Sequence, residues 1–253
     1  MARDRRKQNI ARLFRNLRII ETRFSRALRR LRRNIAKDAA SHRDLVSINI
    51  VIQFRQHEIT ALNKAWFKRI MDLFARERID YLQERIGQAK KADAYNTYQN
   101  NVNRWIDQRA GALSKRVVGS MVNTARDVLT DSVDEGWGTD KTSRELERQL
   151  GGSTLNNDSF ARTEMHTAAN VGSDAAARST GLDMVKEWAA TDDTRTRETH
   201  QNADGQRVEM DERFAVGDAM LAYPGDPSGP ANEVINCRCV TLYHPRINGV
   251  VYD

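Results

Sequence analysis

The residues best suited to chemistry lie in the last quarter of the chain. Cys237 and Cys239 are the only cysteines among 253 residues, and they sit one residue apart in NEVINCRCVTLYH. Upstream, EWAATDDTRTRETHQNADGQRV places Asp192, Asp193, Arg195, Arg197, His200 and Asp204 within thirteen residues. Three readings of the cysteines compete. A disulfide is disfavoured by geometry: residues i and i+2 of a strand share a face, and their Cβ atoms lie beyond the roughly 3.5–4.5 Å that a disulfide requires. Two same-facing thiols could instead hold zinc with His200 and one of His244, Asp193 or Asp204 completing four ligands, although zinc usually takes cysteines spaced more widely. The third reading is two small hydrophobes packed in a core.

Other catalytic signatures are absent. There is no P-loop, no GxGxxG opening a helix and no His-Glu-x-x-His. No serine is marked as a nucleophile, so no catalytic residue is assigned. His200 with several carboxylates could perform acid–base or metal-dependent chemistry, including cleavage of nucleic acid; the competing reading is a loop stapled to the body by Asp and Arg hydrogen bonds. Arg162, His166 and Asn170 are four apart and share a helix face; we read them as a helix hydrogen-bonding to the sheet that follows.

The elements that must position these residues follow from the breakers. The first 86 residues contain neither glycine nor proline, and all four prolines fall in the last thirty. Long helices need that absence, so the expected fold is α+β: a long-helix N-terminal half, then a small α+β domain with a short antiparallel sheet. Ile10, Leu13, Leu17, Ile20, Phe24, Ala27 and Leu31 form an a/d heptad stripe over about three heptads. A second helix is expected from Ser41, with Asp44 as partner in a weak capping box, and Gly87 with the polar stretch to Tyr98 suggests a break. A third runs from about Val102 to Val133. EGWGTDKTSRELERQLGG reads as a turn and a short helix capped by Thr142 and Glu145, closed by Gly151-Gly152. Another helix, capped near Asn157 or Asp158, ends at Gly181. MVKEWAA, QRVEM and CVTLYH read as strands. The expected domains are a basic arm over 1–38, a helical domain over 39–152 and an α+β domain over 153–253.

Charge is concentrated in the arm. Residues 1–38 hold 14 Lys/Arg and three acids, a net +11, whereas the whole chain carries +7. Arg12, Arg15, Arg18, Arg23, Arg26, Arg29, Arg30, Arg32 and Arg33 are therefore candidates to meet a polyanion, most simply DNA or RNA, or an acidic protein surface. The alternative is a helix packed on its own domain with a solvated basic face. No apolar run approaches the roughly 20 residues of a membrane span, and the basic start leads into arginine and not into an apolar leader. A protein made and kept in a reducing cytoplasm, without a membrane partner, is expected.

ARTEMHTAANVG, then EWAATDDTRTRETH with DGQRV, then a proline-containing loop and NCRC, together resemble the C-terminal domain of the phage head morphogenesis family, the Mu F-like minor head proteins. The resemblance covers about residues 155–245. Its motif maps onto Arg162, Thr163, Glu164, Trp188, Asp193, Thr196, Arg197, His200, Asp204, Gly205 and Asn236 to Cys239; Arg162, Glu164, Trp188, Arg197 and Asn236 are expected to be structural. The resemblance implies a low-copy, non-enzymatic protein inside the virion head at the portal vertex, present in several copies. It implies portal protein and packaged double-stranded DNA as partners, with major capsid or scaffold protein as further candidates. It also implies a part in head assembly and, in some phages, in genome delivery. With it, zinc and two packed thiols stand as equal readings of the cysteines, and a metal-dependent nuclease using Asp193, His200, Cys237 and Cys239 is the alternative function.

Overall fold

Freedom from helix breakers shows directly in the length of the helices. The structure, a computed structural model, describes residues 2–86, 91–152, 154–191 and 193–252; the expected break at Gly87 lies outside them. Helix α1 runs over Ala2–Ala39, α2 over Leu45–Phe54, α3 over Gln56–Ile86 and α4 over Lys91–Asp134, followed by α5 over Thr139–Leu150 and α6 over Thr154–Ser179. The rest is short elements: β1 (Met184–Ala189), α7 (Glu198–Asn202), β2 (Arg207–Glu209), β3 (Phe214–Val216), β4 (Ala219–Leu221), α8 (Ala231–Val234), β5 (Val240–Ile247) and β6 (Val250–Val251). The α+β class read from the sequence is the observed one. Among the described residues, no helix is long and apolar enough to cross a membrane.

Several element boundaries differ from expectation, each for a local reason. Asp44, not Ser41, caps α2: its carboxylate accepts the Ser47 N–H at 2.8 Å, while the Ser41 hydroxyl donates back to Asp38 O. The expected single helix from Ser41 is interrupted at Arg55, which bonds Glu58. Helix α5 begins at Thr139 behind Gly138, so Thr142 lies inside it and bonds Gly138 O instead of forming a capping box. Helix α6 starts at Thr154, before Asn157 and Asp158. It closes as expected, with Gly181 in the left-handed region (φ +67°).

The stripe of α1 also changes course. Ile10, Leu13, Leu17, Ile20 and Phe24 are buried, but the stripe then continues through Leu28, Ile35 and Ala39, with Ala27 and Leu31 only half-buried. Those later spacings average about 3.6 residues per turn, the repeat of a straight helix, and not the 3.5 of a coiled coil. The apolar face of α1 is thus consumed within the chain.

The chain forms two compact units that cut across the linear blocks 1–38, 39–152 and 153–253. One comprises Met1–Glu21, Phe67–Arg104 and Ser159–Asp253; the other comprises Thr22–Trp66 and Trp105–Asp158. Helices α1, α3, α4 and α6 contribute residues to both.

In the second unit, Phe24 packs against Trp66 with ring centroids 5.8 Å apart, and Ser25 bonds Asp158. Arg32 is turned inward, donating to Asn157 Oδ1 at 3.2 Å and Leu150 O at 3.3 Å, and burial lowers its pKa.

The first unit holds the sheet, of order β2-β1-β5-β6 and antiparallel throughout, with Trp188 opposite Thr241 and Lys186 opposite Tyr243. β3 and β4 form a separate hairpin. Leu82, Ala177, Met184 and Tyr243 form one core cluster of this unit, and the buried Arg78 guanidinium lies 4.8 Å from the Tyr243 ring centroid. A second cluster joins Trp188, Phe214, Val216 and Leu221 to both cysteines.

Candidate metal centre in the sheet unit

Three short elements deliver the group. Helix α7 carries His200. Helix α8 carries Glu233. The turn leaving α8 reaches Asn236 in the left-handed region at φ +61°, a conformation asparagine tolerates. That reversal feeds Cys237 and Cys239 into the core ahead of β5, both 1 % exposed. Arg238, between them, turns away and pairs bidentately with the Asp193 carboxylate.

His200, 2 % exposed, faces both sulfurs with one nitrogen: Nδ1 lies 3.3 Å from Cys239 Sγ and 3.8 Å from Cys237 Sγ. Its other nitrogen, Nε2, lies 3.0 Å from Glu233 Oε2. Glu233 is itself held: the Thr199 hydroxyl donates to Oε2 at 2.9 Å, and Asn232 Nδ2 donates to Oε1 at 3.2 Å. Trp188 closes one side, its ring 5.4 Å from the imidazole and nearly perpendicular to it. The thiols influence each other. A hydrogen bond from Cys239, helped by the backbone N–H groups of Cys239 and Gly225, holds Cys237 below the ordinary thiol range. The same pairing, with burial, pushes Cys239 well above it.

The structure thus brings His200, Cys237 and Cys239 together, every candidate ligand atom within 4.8 Å of the others. It does not bring in the candidates for a fourth ligand. Asp193 is occupied by Arg238 and Arg195, and the Arg238 guanidinium holds its carboxyl well below the usual range. Asp204 accepts the Ala190 N–H at 2.8 Å. His244 lies on β5, 2.9 Å from Glu187. Asp192 lies outside the described residues.

The polar stripe of α6 stitches this segment to the helix. Arg162 donates to Asn236 Oδ1 at 3.0 Å, and the Asn236 N–H donates to Thr163 Oγ1 at 3.0 Å. Asn170 donates to Pro224 O and Cys239 O and accepts the Thr241 N–H. His166 Nε2 lies 2.6 Å from Glu21 on α1, and Arg162 Nε lies 3.6 Å from the same carboxylate. Glu164 and Trp188 are buried, and Arg197 bonds Ile235 O. These residues shape the segment that carries the cysteines.

Of the nine arginines marked on α1, Arg12, Arg15, Arg18, Arg23, Arg26, Arg30 and Arg33 are exposed, Arg29 is half-buried and Arg32 is engaged as described. Counted at about 100° per residue, Arg12, Arg15, Arg23, Arg26, Arg30 and Arg33 fall within about 80° of one another, on the side away from the buried stripe. Glu233 escapes the sequence reading, since nothing in NEV marks a carboxylate that a separate short helix will place against His200.

Residues 123–242 match the family described as Phage Mu protein F like protein, beginning about thirty residues ahead of the segment singled out by motif. The chain is 28% identical over 130 residues to minor head protein GP7 of Bacillus phage SPP1, which is 49% of this chain and 41% of that protein. It is 37% identical over 86 residues to the NAD(+)--arginine ADP-ribosyltransferase EFV of Enterococcus faecalis (strain ATCC 700802 / V583), which is 33% of this chain and 18% of that protein. The chain thus spans less than half the length of either relative. No solved structure matches it.

Proposed function

We propose that this chain, whose residues 123–242 match the Phage Mu protein F like family, is a structural minor protein of a tailed-phage or prophage head. The observation that carries the reading is the family match together with the similarity to minor head protein GP7. In this reading the protein resides inside the head at the portal vertex, in several copies. It docks on the portal and meets packaged DNA, supporting head assembly and genome delivery.

Two surfaces support the finer reading. The exposed arginines of α1 line one side of a long helix, suited to sequence-independent contact with phosphates. On α2, Val46, Ile50 and Phe54 are 69%, 62% and 76% exposed at i, i+4 and i+8. That apolar strip on a solvent-facing helix is what docking on the portal would bury.

The test is co-expression with the portal protein encoded by the same phage genome, followed by co-purification. Wild type is expected to form a complex, and Ile50→Glu with Phe54→Glu to lose it while remaining folded. A complex that never forms with the wild-type chain overturns the portal assignment. Against a nuclease using these residues, His200 and both cysteines are buried and Asp193 is tied to Arg238. The similarity to part of an ADP-ribosyltransferase covers a third of this chain and 18% of that protein.

A further inference from the structure

We propose that His200 Nδ1, Cys237 Sγ and Cys239 Sγ bind one zinc ion, with Glu233 as the residue that orients the histidine. The head role does not bear on this; the geometry does. Around a tetrahedral zinc with Zn–S near 2.3 Å and Zn–N near 2.0–2.1 Å, a sulfur and a nitrogen ligand stand about 3.5 Å apart. The observed separations, 3.3 and 3.8 Å, bracket that value. The two sulfurs lie within 4.8 Å of each other, and a metal would draw them to about 3.8 Å.

The second nitrogen strengthens the case. A carboxylate only accepts, so the contact between Glu233 and Nε2 places the proton on Nε2. Nδ1 then presents its lone pair to the two sulfurs. A carboxylate behind a histidine, fixing its tautomer and ring orientation, is the usual support of a metal-ligating imidazole. Two packed thiols and a histidine need no such support, and a glutamate 6 % exposed is costly to bury without a purpose for its charge.

Charge agrees. Two thiolates and one neutral imidazole against Zn²⁺ leave the centre neutral, whereas two thiolates without a metal would place two negative charges in the core. Nitrogen and sulfur donors in a tetrahedral arrangement select zinc over hard cations. The fourth position falls to water or another ligand from outside this chain's three donors. The centre would fasten α7 to the start of β5, two segments 37 residues apart in sequence.

The test uses the full chain, reduced and freed of any affinity tag. Metal analysis is expected to find about one zinc per chain. Titration of stripped protein with cobalt(II) alone is expected to give the intense thiolate-to-cobalt charge-transfer absorption of a sulfur-ligated tetrahedral centre. Because Cys237→Ser or His200→Ala could fail to fold, Glu233→Gln is the informative variant, with zinc affinity expected to fall 10–100-fold. Asp193→Asn is expected to keep full stoichiometry. Substoichiometric zinc with no charge-transfer band in the wild type overturns the site, unchanged affinity in Glu233→Gln removes the role of Glu233, and zinc lost in Asp193→Asn overturns the three-residue assignment.

Discussion

Asn170 and Thr241 are joined across 71 residues of sequence: the Thr241 N–H donates to Asn170 Oδ1 at 2.9 Å, where β5 begins. The same amide donates to Pro224 O and Cys239 O, so one α6 side chain ties together the loop and the strand that flank the cysteines. Truncation would leave a buried donor and two buried acceptors short of partners, each worth about 1–3 kcal/mol. Asn170→Ala is therefore expected to lose at least about 2 kcal/mol in a urea unfolding series, well beyond the loss from trimming an exposed helix residue.

Gly172, on the same helix, carries a steric prediction with a change of sign. A Cβ there would meet Met71 Cα at 2.8 Å and its carbonyl oxygen at 3.0 Å, so backbone must move. Gly172→Ala is expected to destabilise by about 1–3 kcal/mol despite its better helix propensity. Gly119 in α4 faces open space, and a methyl added there would meet nothing within 4 Å. Gly119→Ala is accordingly expected to stabilise by up to about 1 kcal/mol. Thermal unfolding of both variants checks the opposite signs.

The pair of Asp193 with Arg238 gives a pH dependence. The folded-state pKa of Asp193 is depressed, principally by the Arg238 hydrogen bonds. Its stabilisation is therefore fully present above the unfolded value of about 3.9 and is lost as pH falls below it. Asp193→Asn should cost about 1 kcal/mol near neutral pH, with the gap to wild type closing as the solution is acidified below about pH 4. A gap that stays constant through that range would assign the loss to something other than the ion pair.

The arginines of α1 separate into two classes that one pair of measurements distinguishes. Changing Arg15, Arg23, Arg26, Arg30 and Arg33 to glutamine is expected to leave unfolding nearly unchanged. It should reduce the slope of log affinity for duplex DNA against log salt by about 0.9 per arginine that meets a phosphate. Arg32→Gln should do the reverse, lowering stability by about 1–3 kcal/mol through the bonds to Asn157 and Leu150 while leaving the salt slope alone.

What is legible in the sequence follows from strong local signals. β1 and β5 coincide with MVKEWAA and CVTLYH, where apolar runs end at turn residues. The stripe of α1 is legible to Phe24, then missed by one position at Leu28, since a heptad and a straight helix differ by only about 20° per two turns. The β3–β4 hairpin escapes the sequence. Its strands are three residues long, and only the Gly217-Asp218 pair between them, with Gly217 at φ +56°, signals it. His200, Cys237 and Cys239 stand out because their residue types are rare. Glu233 does not, since glutamates are common and its place depends on where α8 packs.

The interleaving of the two units has a consequence for how the protein is made. Glu21 meets His166 across 145 residues, and residues 67–104 belong with the sheet that ends the chain. The basic helix is made before α6, and although Arg12 and Asn16 meet Glu77 of α3, Glu21 does not gain His166 until α6 follows. Folding of the sheet unit is therefore a late and non-local event, slowed by the closure of very long loops. Over that interval part of an arginine-rich amphipathic helix lacks its cover, so the chain is at its most adhesive while the sheet unit is still assembling.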